Sequence, residues 1–266
     1  MKRTIAMADN CIDVYYKQDR FYTTGNSIDF AFNYRALGGE ITEMTILGND
    51  FFADALREKC SERGIPLRVI KQSDKPTGMA KMAIVDGDRV HLSFVGNAME
   101  EIELSEEDQA FVRDFDIVYC ERWCKVHRYL PALKRPGQIW VYDFSKRLTL
   151  ETNDLVLPYI DYAFFSYDGD DDYIRDFLVK TQGKGAGCVI AMLGEHGSLA
   201  WDGKVFYRET AERVPVCNTV GAGDSYIAGF TYGLSLGESV PQCMARGKAQ
   251  ATKIIQIFTH LYKIPA

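Results

Sequence analysis

The chain has 266 residues, of which 47% are hydrophobic, and a formal net charge of −6 at pH 7. This length can bury the core of one large α/β domain. Because the net charge is negative, no overall basic surface is available to bind nucleic acid or an anionic membrane, and we expect neither as a partner.

The N-terminal residues MKRTIAMADN carry two basic residues but reach Asp9 before any long apolar run, so we expect no signal peptide. Uncharged apolar stretches are much shorter than the ~18 residues that a membrane helix needs. Seven cysteines without paired spacing predict reduced thiols and a cytoplasmic location. Cys120, Cys124 and His127 mimic a metal site, but no second ligand pair follows at zinc-finger distance. We therefore expect two packed cysteines and a surface histidine.

Short apolar runs rich in β-branched and aromatic residues predict buried strands at 4–8, 43–48, 116–120, 138–144, 161–166 and 188–193. Helical patterns follow several of them, at 27–37, 51–63, 105–114 and 170–182, and two more helices are predicted at 224–236 and 240–258. Ser105 is typical of a helix start and Gly64 of a helix stop. This alternation predicts an α/β fold with a central, mostly parallel sheet and helices on both faces.

Residues 65–100 break the alternation because they contain no convincing helix. VDGDR at 85–89 is a tight-turn signal between alternating apolar runs, which predicts antiparallel hairpin strands. We expect one domain, 1–266, with a small β lid formed mainly by about 65–100 and extended by part of 12–25.

Residues 218–230, NTVGAGDSYIAGF, place Gly221, Ala222 and Gly223 directly before Asp224 and an apolar helical run. The glycines are predicted at a strand-to-helix turn, where the N–H groups of the first helical turn favour an anion. Without Cβ atoms a phosphate can approach the backbone, and an adjacent aspartate can take a proton from an attacking hydroxyl. The alternative is that Asp224 caps the helix and the glycines serve turn geometry.

Two N-terminal segments place short polar side chains at predicted strand and helix ends. ADNCIDVY (8–15) puts Asp9, Asn10 and Asp13 at the carboxyl end of the first strand, where α/β sheets bind ligands, and such side chains suit sugar hydroxyls. TTGNSIDFAFNYRALGG (23–39) has a glycine turn and then Asn26 and Asp29 at a helix start. Taken singly, each segment is explained by turn and capping chemistry.

Taken together, the segments resemble the signatures of the ribokinase-like (PfkB) carbohydrate kinases. VGAGDSYIAGF resembles the C-terminal signature and TGNSIDFAFNYRALGG the N-terminal one, while LGNDFFADALREKCSERGI and MLGEHGSLAWDG resemble segments between them. The resemblance runs in order over essentially the whole chain. It implies a ribokinase-like fold and a sugar kinase that uses ATP and Mg²⁺. Within the family, ADNCIDVY, VYDFS and GEHGSLAWDG resemble bacterial kinases of fructoselysine, so the implied substrate is a small sugar or a glycated amino acid.

The resemblance also implies roles at matching positions. Asp224 would be the catalytic base, and the N–H groups of Gly221, Ala222 and Gly223 would stabilise the transferring phosphoryl group. The implied sugar-binding residues are Asp9, Asn10, Asp13, Gly25, Asn26, Asp29 and Arg89. The implied nucleotide-binding residues are Gly194, Gly197, Thr219, Gly221 and Gly223. A homodimer formed through the lid is a further expectation.

Three positions depart from the family pattern. Asp29 stands where a second Asn is usual. Asn218 stands where Asp is usual beside a frequent monovalent-cation site, and a neutral amide would bind a cation less strongly than a carboxylate. The family's Asn-x-x-Glu, linked to magnesium, has no counterpart near Ser166, so the metal ligands are unknown. The expected reaction is transfer of the γ-phosphoryl group of ATP to the 6-hydroxyl of fructoselysine or a related glycated amine. The alternatives are a kinase for another sugar or a nucleoside, and a catalytically impaired sugar-binding protein of the same fold.

Overall fold

The computed structural model of the chain describes residues 1–8, 10–85, 88–95, 98–149, 151–257 and 262–264. The strands among them are β1 (Thr4–Ala8), β2 (Cys11–Tyr15), β3 (Arg20–Thr24), β4 (Ile41–Gly48), β5 (Leu67–Ser73), β6 (Met79–Val85), β7 (Asp88–Val95), β8 (Ile117–Glu121), β9 (Ile139–Asp143), β10 (Tyr162–Ser166), β11 (Cys188–Met192), β12 (Ser198–Trp201), β13 (Phe206–Glu209) and β14 (Tyr262–Lys263). The helices are α1 (Asn26–Ala36), α2 (Phe51–Glu62), α3 (Glu106–Arg113), α4 (Leu130–Leu133), α5 (Glu151–Val156), α6 (Asp172–Gln182), α7 (Ala222–Ser235) and α8 (Val240–Ile255).

Nine strands form a central sheet in the order β13-β12-β11-β10-β9-β8-β1-β4-β5. The strands from β11 to β5 run parallel, and β12 and β13 continue the sheet antiparallel. All six strands predicted from the sequence lie in the parallel part, with ends within two residues of the prediction. Because these strands share a direction, their carboxyl ends meet at one edge of the sheet, the usual ligand-binding edge of an α/β fold.

Helices cover both faces of the central sheet, as predicted. On β8, Ile117 and Tyr119 pack with apolar residues of α1, α2, α7 and α8. The alternate residues Val118 and Cys120 pack on the other face with residues of α3, α4, α5 and α6. This alternation is what a strand buried on both sides requires.

The helix ends confirm several predictions. Ser105 caps α3 in a reciprocal capping box with Asp108, and Gly64, with φ of 62°, follows the end of α2. Helix α7 begins at Ala222, two residues before the predicted start, so Asp224 is its third residue and not its N-cap. None of the helices that the structure describes is long and apolar enough to span a membrane.

The three residues whose spacing resembles a metal site, Cys120, Cys124 and His127, are two packed thiols and a surface histidine, as expected. Cys120 and Cys124 are fully buried and His127 is exposed. All seven cysteines are free thiols.

Five strands form a second sheet in the order β14-β3-β2-β6-β7. Strands β6 and β7 form the predicted hairpin, in which Val85 pairs with Asp88. Strands β2 and β3 begin at residue 11 and end at residue 24, close to the predicted 12–25. The assignment of the segment from residue 65 to this sheet was wrong: β5 pairs parallel with β4 in the central sheet. Strand β14 closes the other side of the second sheet by pairing with β3.

Helices α7 and α8 approach each other closely at two glycines. A Cβ atom on Gly229 would lie 2.6 Å from the carbonyl oxygen of Arg246, and one on Gly247 would lie 2.9 Å from that of Tyr226. The absence of a side chain at Gly229 of α7 and at Gly247 of α8 therefore serves helix packing at this point. That packing fixes α7, which carries Asp224.

Candidate active site

The N-terminus of α7 presents a glycine turn and a carboxylate together. Its N-cap, Gly221, has φ of 74°, a left-handed conformation that favours glycine. The first i to i−4 bond of the helix joins Ser225 N to Gly221 O at 2.9 Å, and the Ala222 N–H donates to Thr219 O at 3.2 Å. The Ala222 N–H is thus engaged within the turn. The other N–H groups at the start of α7 lie outside the helical hydrogen-bond ladder, so this turn offers donors to an anion beside Asp224.

The N-terminus of α1 lies beside this turn. Gly25, with φ of 120°, is its N-cap, and Asn26 is its first residue. Asp29, in the first turn of α1, is only 6% exposed. A Cβ atom on Gly221 would lie 3.7 Å from Asp29 Oδ2. The fold thus brings the predicted sugar-binding residues of α1 to the predicted anion-binding turn of α7.

Both helix ends lie at the carboxyl edge of the central sheet. Asn26 Nδ2 donates to Asp143 Oδ2 at 3.5 Å, and Asp143 is the last residue of β9. A Cβ atom on Gly223 would lie 3.5 Å from Met192 Cε, and Met192 is the last residue of β11. The site therefore occupies the usual ligand position of an α/β sheet.

Asp143 is a site residue to which the sequence analysis gave no role. Its side chain is buried, with 4% exposure of the residue, and its Oδ1 accepts from Ser145 N at 2.7 Å. Burial raises the pKa of the Asp143 carboxyl to about 6, although the bonds from Ser145 and Asn26 act in the opposite direction. The sequence does mark Asp143, because it is an aspartate at the end of an apolar strand. The same pattern marked Asp9 at the end of the first predicted strand.

A buried phenol lies among the acidic groups of the site. Burial raises the pKa of Tyr119 well above its usual value, and the carboxyls of Asp224, Asp143 and Glu121 raise it further. The Tyr119 hydroxyl has no hydrogen-bond partner in the part of the chain that the structure describes. The buried part of the site, around the Tyr119 hydroxyl, is therefore acidic as well.

The described residues contain no group of three His, Cys, Asp or Glu side chains placed to hold a metal ion. The described residues therefore do not form a metal site in which every ligand comes from the protein. Magnesium usually keeps several waters and binds one or two carboxylates together with substrate phosphates. Asp143 supplies a carboxylate of that kind at this edge of the sheet, so the residues fit a largely hydrated ion and leave Asp224 to act as the base.

The predicted nucleotide-binding glycines lie in the turn between β11 and β12. Gly194 and Gly197 have φ of 56° and 88°, and a Cβ atom on Gly197 would lie 2.1 Å from Glu209 O. Glycine is therefore required at position 197, because any side chain would collide with the backbone of Glu209. A Cβ atom on Gly194 would meet no atom within 4 Å. Thr219 is exposed in the loop before α7. Nucleotide binding by these residues stays a prediction.

The remaining predicted sugar-binding residues lie in segments of the chain other than α1 and α7. Asn10 is buried, and its Nδ2 donates to Thr45 Oγ1 at 2.5 Å and to Ile46 O at 2.7 Å, which ties it to β4. Asp13 does not lie at the end of β1 as expected, but on β2 of the second sheet, paired with Tyr22. Asp9 lies outside the described residues, as does the side chain of Arg89. Sugar contacts by these residues stay predictions.

Comparison with known proteins gives the family. The model of the pfkB family carbohydrate kinases matches residues 4–135 and 151–259. The chain belongs to this family. A fructoselysine 6-kinase of Escherichia coli K12 is 34% identical over 256 residues, which cover 96% of this chain and 98% of that protein. A fructosamine kinase of Bacillus subtilis is 29% identical, with 96% and 92% covered.

The fold comparison agrees with the family. The structure of an Arabidopsis thaliana ribokinase complexed with ribose and ATP superimposes with a TM-score of 0.82 at 20% identity, covering 96% of this chain and 93% of that one. This confirms the ribokinase-like fold expected from the sequence. As a pfkB carbohydrate kinase, the chain is a phosphotransferase that acts on a sugar hydroxyl.

Proposed function

We propose that this pfkB kinase transfers the γ-phosphoryl group of ATP, with Mg²⁺, to the 6-hydroxyl of fructoselysine or a closely related glycated amine. The observation that carries the proposal is the near full-length similarity to the E. coli fructoselysine 6-kinase, 34% identical over 96% of this chain. The fructosamine kinase of B. subtilis supports the same substrate class.

The site geometry suggests how the chain performs the transfer. Asp224 accepts the proton of the attacking hydroxyl, which raises the nucleophilicity of its oxygen as the bond to phosphorus forms. The N–H groups and dipole at the α7 N-terminus stabilise negative charge on the phosphoryl oxygens. Phosphoryl transfer needs mainly such positioning and charge stabilisation. Magnesium, when bound with ATP, neutralises part of the phosphate charge.

The acidity of the site favours a cationic substrate. Asp29 is a buried carboxyl residue beside the α7 turn, and Asp143 is a buried carboxyl residue that accepts from Asn26. Asp13 is a buried carboxyl residue of the second sheet. Glycated lysine carries a protonated secondary amine next to its sugar, whereas free fructose is neutral. A nearby negative charge stabilises such an amine and so discriminates the two sugars.

The second sheet acts in this proposal as a lid over the sugar and as a dimer interface. Strand β7 lies at the edge of that sheet among the described residues and exposes Leu92, Phe94 and Val95. An apolar edge strand readily pairs with another chain, and the occupant proposed is a second copy of this protein. If the sheet covers the sugar, saturating substrate should slow hydrogen exchange in β2, β3, β6 and β7.

The deciding experiment measures ATP turnover with fructoselysine, fructose, ribose and adenosine. We expect kcat/KM about 100-fold higher for fructoselysine than for fructose, which corresponds to about 2.7 kcal/mol of additional transition-state binding. Asp224→Asn should lower kcat by about 100- to 10,000-fold while the protein remains folded.

Equal efficiency on fructose and fructoselysine, or a preference for ribose or adenosine, would overturn the substrate assignment. Saturable sugar binding without ATP turnover would instead identify a catalytically impaired member of the family.

A further inference from the structure

Strand β3 of the second sheet connects to α1 through a single residue. Thr24 is the last residue of β3, Asn26 is the first of α1, and only Gly25 lies between them, with φ of 120°. A glycine in this conformation allows a sharp change of direction but does not by itself hold the two elements at a fixed angle. Another contact must fix the strand against the helix.

The Asp29 side chain provides that contact. Its Oδ2 accepts from the Thr24 hydroxyl at 2.6 Å, and its Oδ1 accepts from the Tyr22 hydroxyl at 3.3 Å. Tyr22 and Thr24 are two residues apart on β3, so their side chains lie on the same face of the strand. One carboxylate thereby ties that face to the first turns of α1. Hydrogen bonds to a charged group are stronger than neutral ones.

The same carboxylate oxygen lies beside the anion-binding turn. Oδ2 of Asp29, which accepts from Thr24, would be 3.7 Å from a Cβ atom on Gly221. The positive end of the α7 dipole attracts this carboxylate as it would attract a phosphate. An anion bound at the turn and the Asp29 carboxylate therefore compete for the same favourable potential and repel each other.

We infer that Thr24 and Asp29 form a latch in which the Thr24 hydroxyl holds the Asp29 carboxylate on β3 and limits how far that carboxylate reaches onto the α7 turn, where ATP would bind. This inference rests on the proposed function, because it assumes that the α7 turn receives phosphate. Asp29 is in this role a positioning residue. The latch also couples the second sheet to the phosphate-binding turn through one side chain.

The latch predicts what happens when the hydroxyl is removed. In Thr24→Val, a variant of similar shape, Asp29 Oδ2 loses its short hydrogen bond and can turn toward the α7 N-terminus, where it opposes phosphate. ATP binding should weaken by about tenfold, which corresponds to about 1.4 kcal/mol. The effect should vanish when Asp29 carries no charge, because an amide does not repel phosphate.

The experiment is a double-mutant cycle read by calorimetric titration of each full-length protein with MgATP. The variants are Thr24→Val, Asp29→Asn and the double variant. Thr24→Ser retains the hydroxyl and should keep the wild-type Kd. Thr23→Val is the matched control, since it removes a buried hydroxyl from the neighbouring position of β3, which faces the other side.

We expect Thr24→Val to raise the Kd for MgATP about tenfold in the wild-type background and less than about twofold in the Asp29→Asn background. In turnover assays the same variant should raise KM for ATP more than it lowers kcat. An equal loss of affinity in both backgrounds, or an unchanged Kd in Thr24→Val, would overturn the latch.

Because the titration contains no sugar, it does not depend on the substrate assignment. Should the wild-type protein bind MgATP but phosphorylate none of the sugars tested, the proposed substrate would fail while the cycle still decides the latch. Thermal unfolding of each variant shows whether a changed Kd comes from misfolding. Tyr22→Phe, which removes only the longer bond, should raise the Kd less than Thr24→Val does, and a larger effect would contradict the role of Thr24.

Discussion

Replacing Asp143 by Asn should make the folded protein more stable at neutral pH. Asp143 is buried and its carboxyl pKa is raised from 3.8 to about 6 in the folded chain. A difference of this size corresponds to at most about 3 kcal/mol. Because the pKa is raised on folding, stability from this group is fully present below the unfolded pKa and is lost as pH rises through about 6. Asn retains an acceptor oxygen for Ser145 N–H but has no charge to desolvate.

The test compares the free energy of unfolding of wild type and Asp143→Asn by denaturant titration between pH 4.5 and 7.5. We expect the advantage of the variant to grow by about 2 kcal/mol over this range and to level off above pH 7. Asp176→Asn, at a side chain that is 75% exposed, is the matched control for removing one carboxylate. A difference between wild type and Asp143→Asn that stays constant with pH would refute a raised pKa at this position.

Three other variants test separate features of the site and the second sheet. Tyr119→Phe removes a buried hydroxyl that has no partner among the described residues, and thermal unfolding should show unchanged or up to about 1 kcal/mol higher stability; a clear loss would mean the hydroxyl is satisfied. Gly223→Val should remain folded, because its Cβ would meet Met192 Cε at an ordinary 3.5 Å, yet kcat/KM should fall at least about tenfold as the side chain crowds the phosphate. Unchanged kinetics there would limit the glycine to turn geometry. Leu92→Asp places a charge on an edge strand at a residue that is 61% exposed, and sedimentation should show a monomer in place of a dimer; the same mass for both proteins would exclude this interface.

The central sheet could be predicted because its strands are buried on both faces and so form short continuous apolar runs. Strand β5 was misassigned for a physical reason. It is the edge strand of the sheet, most of its residues are partly or fully exposed, and it carries Arg68 and Lys71. Its pattern therefore resembled the alternation of an antiparallel hairpin. Sequence patterns report burial along a strand, but they do not report which strand lies next to it.

The helix-end parts of the site could also be predicted, because glycine turns before a helix leave a local signature at Gly25 and Gly221. The contacts that bring these helix ends together could not be predicted. Asp29 meets Gly221, and Asn26 meets Asp143, across long stretches of intervening chain, and no local pattern encodes such a contact. Tyr119 has the sequence appearance of an ordinary strand aromatic, and only the folded chain places its hydroxyl near three carboxyls.

The pairing of β14 with β3 has a consequence for the newborn chain on the ribosome. Tyr262 pairs with Phe21, so 240 residues must be synthesised between the two partners. At about 5–20 residues per second, β3 has to wait on the order of 10–50 s for its neighbour. During that interval one side of β3 exposes unpaired backbone groups, which can join the wrong strand of the same or another nascent polypeptide. Chaperone protection during translation would thus matter for β3, whose pairing is completed only after β14 has been synthesised.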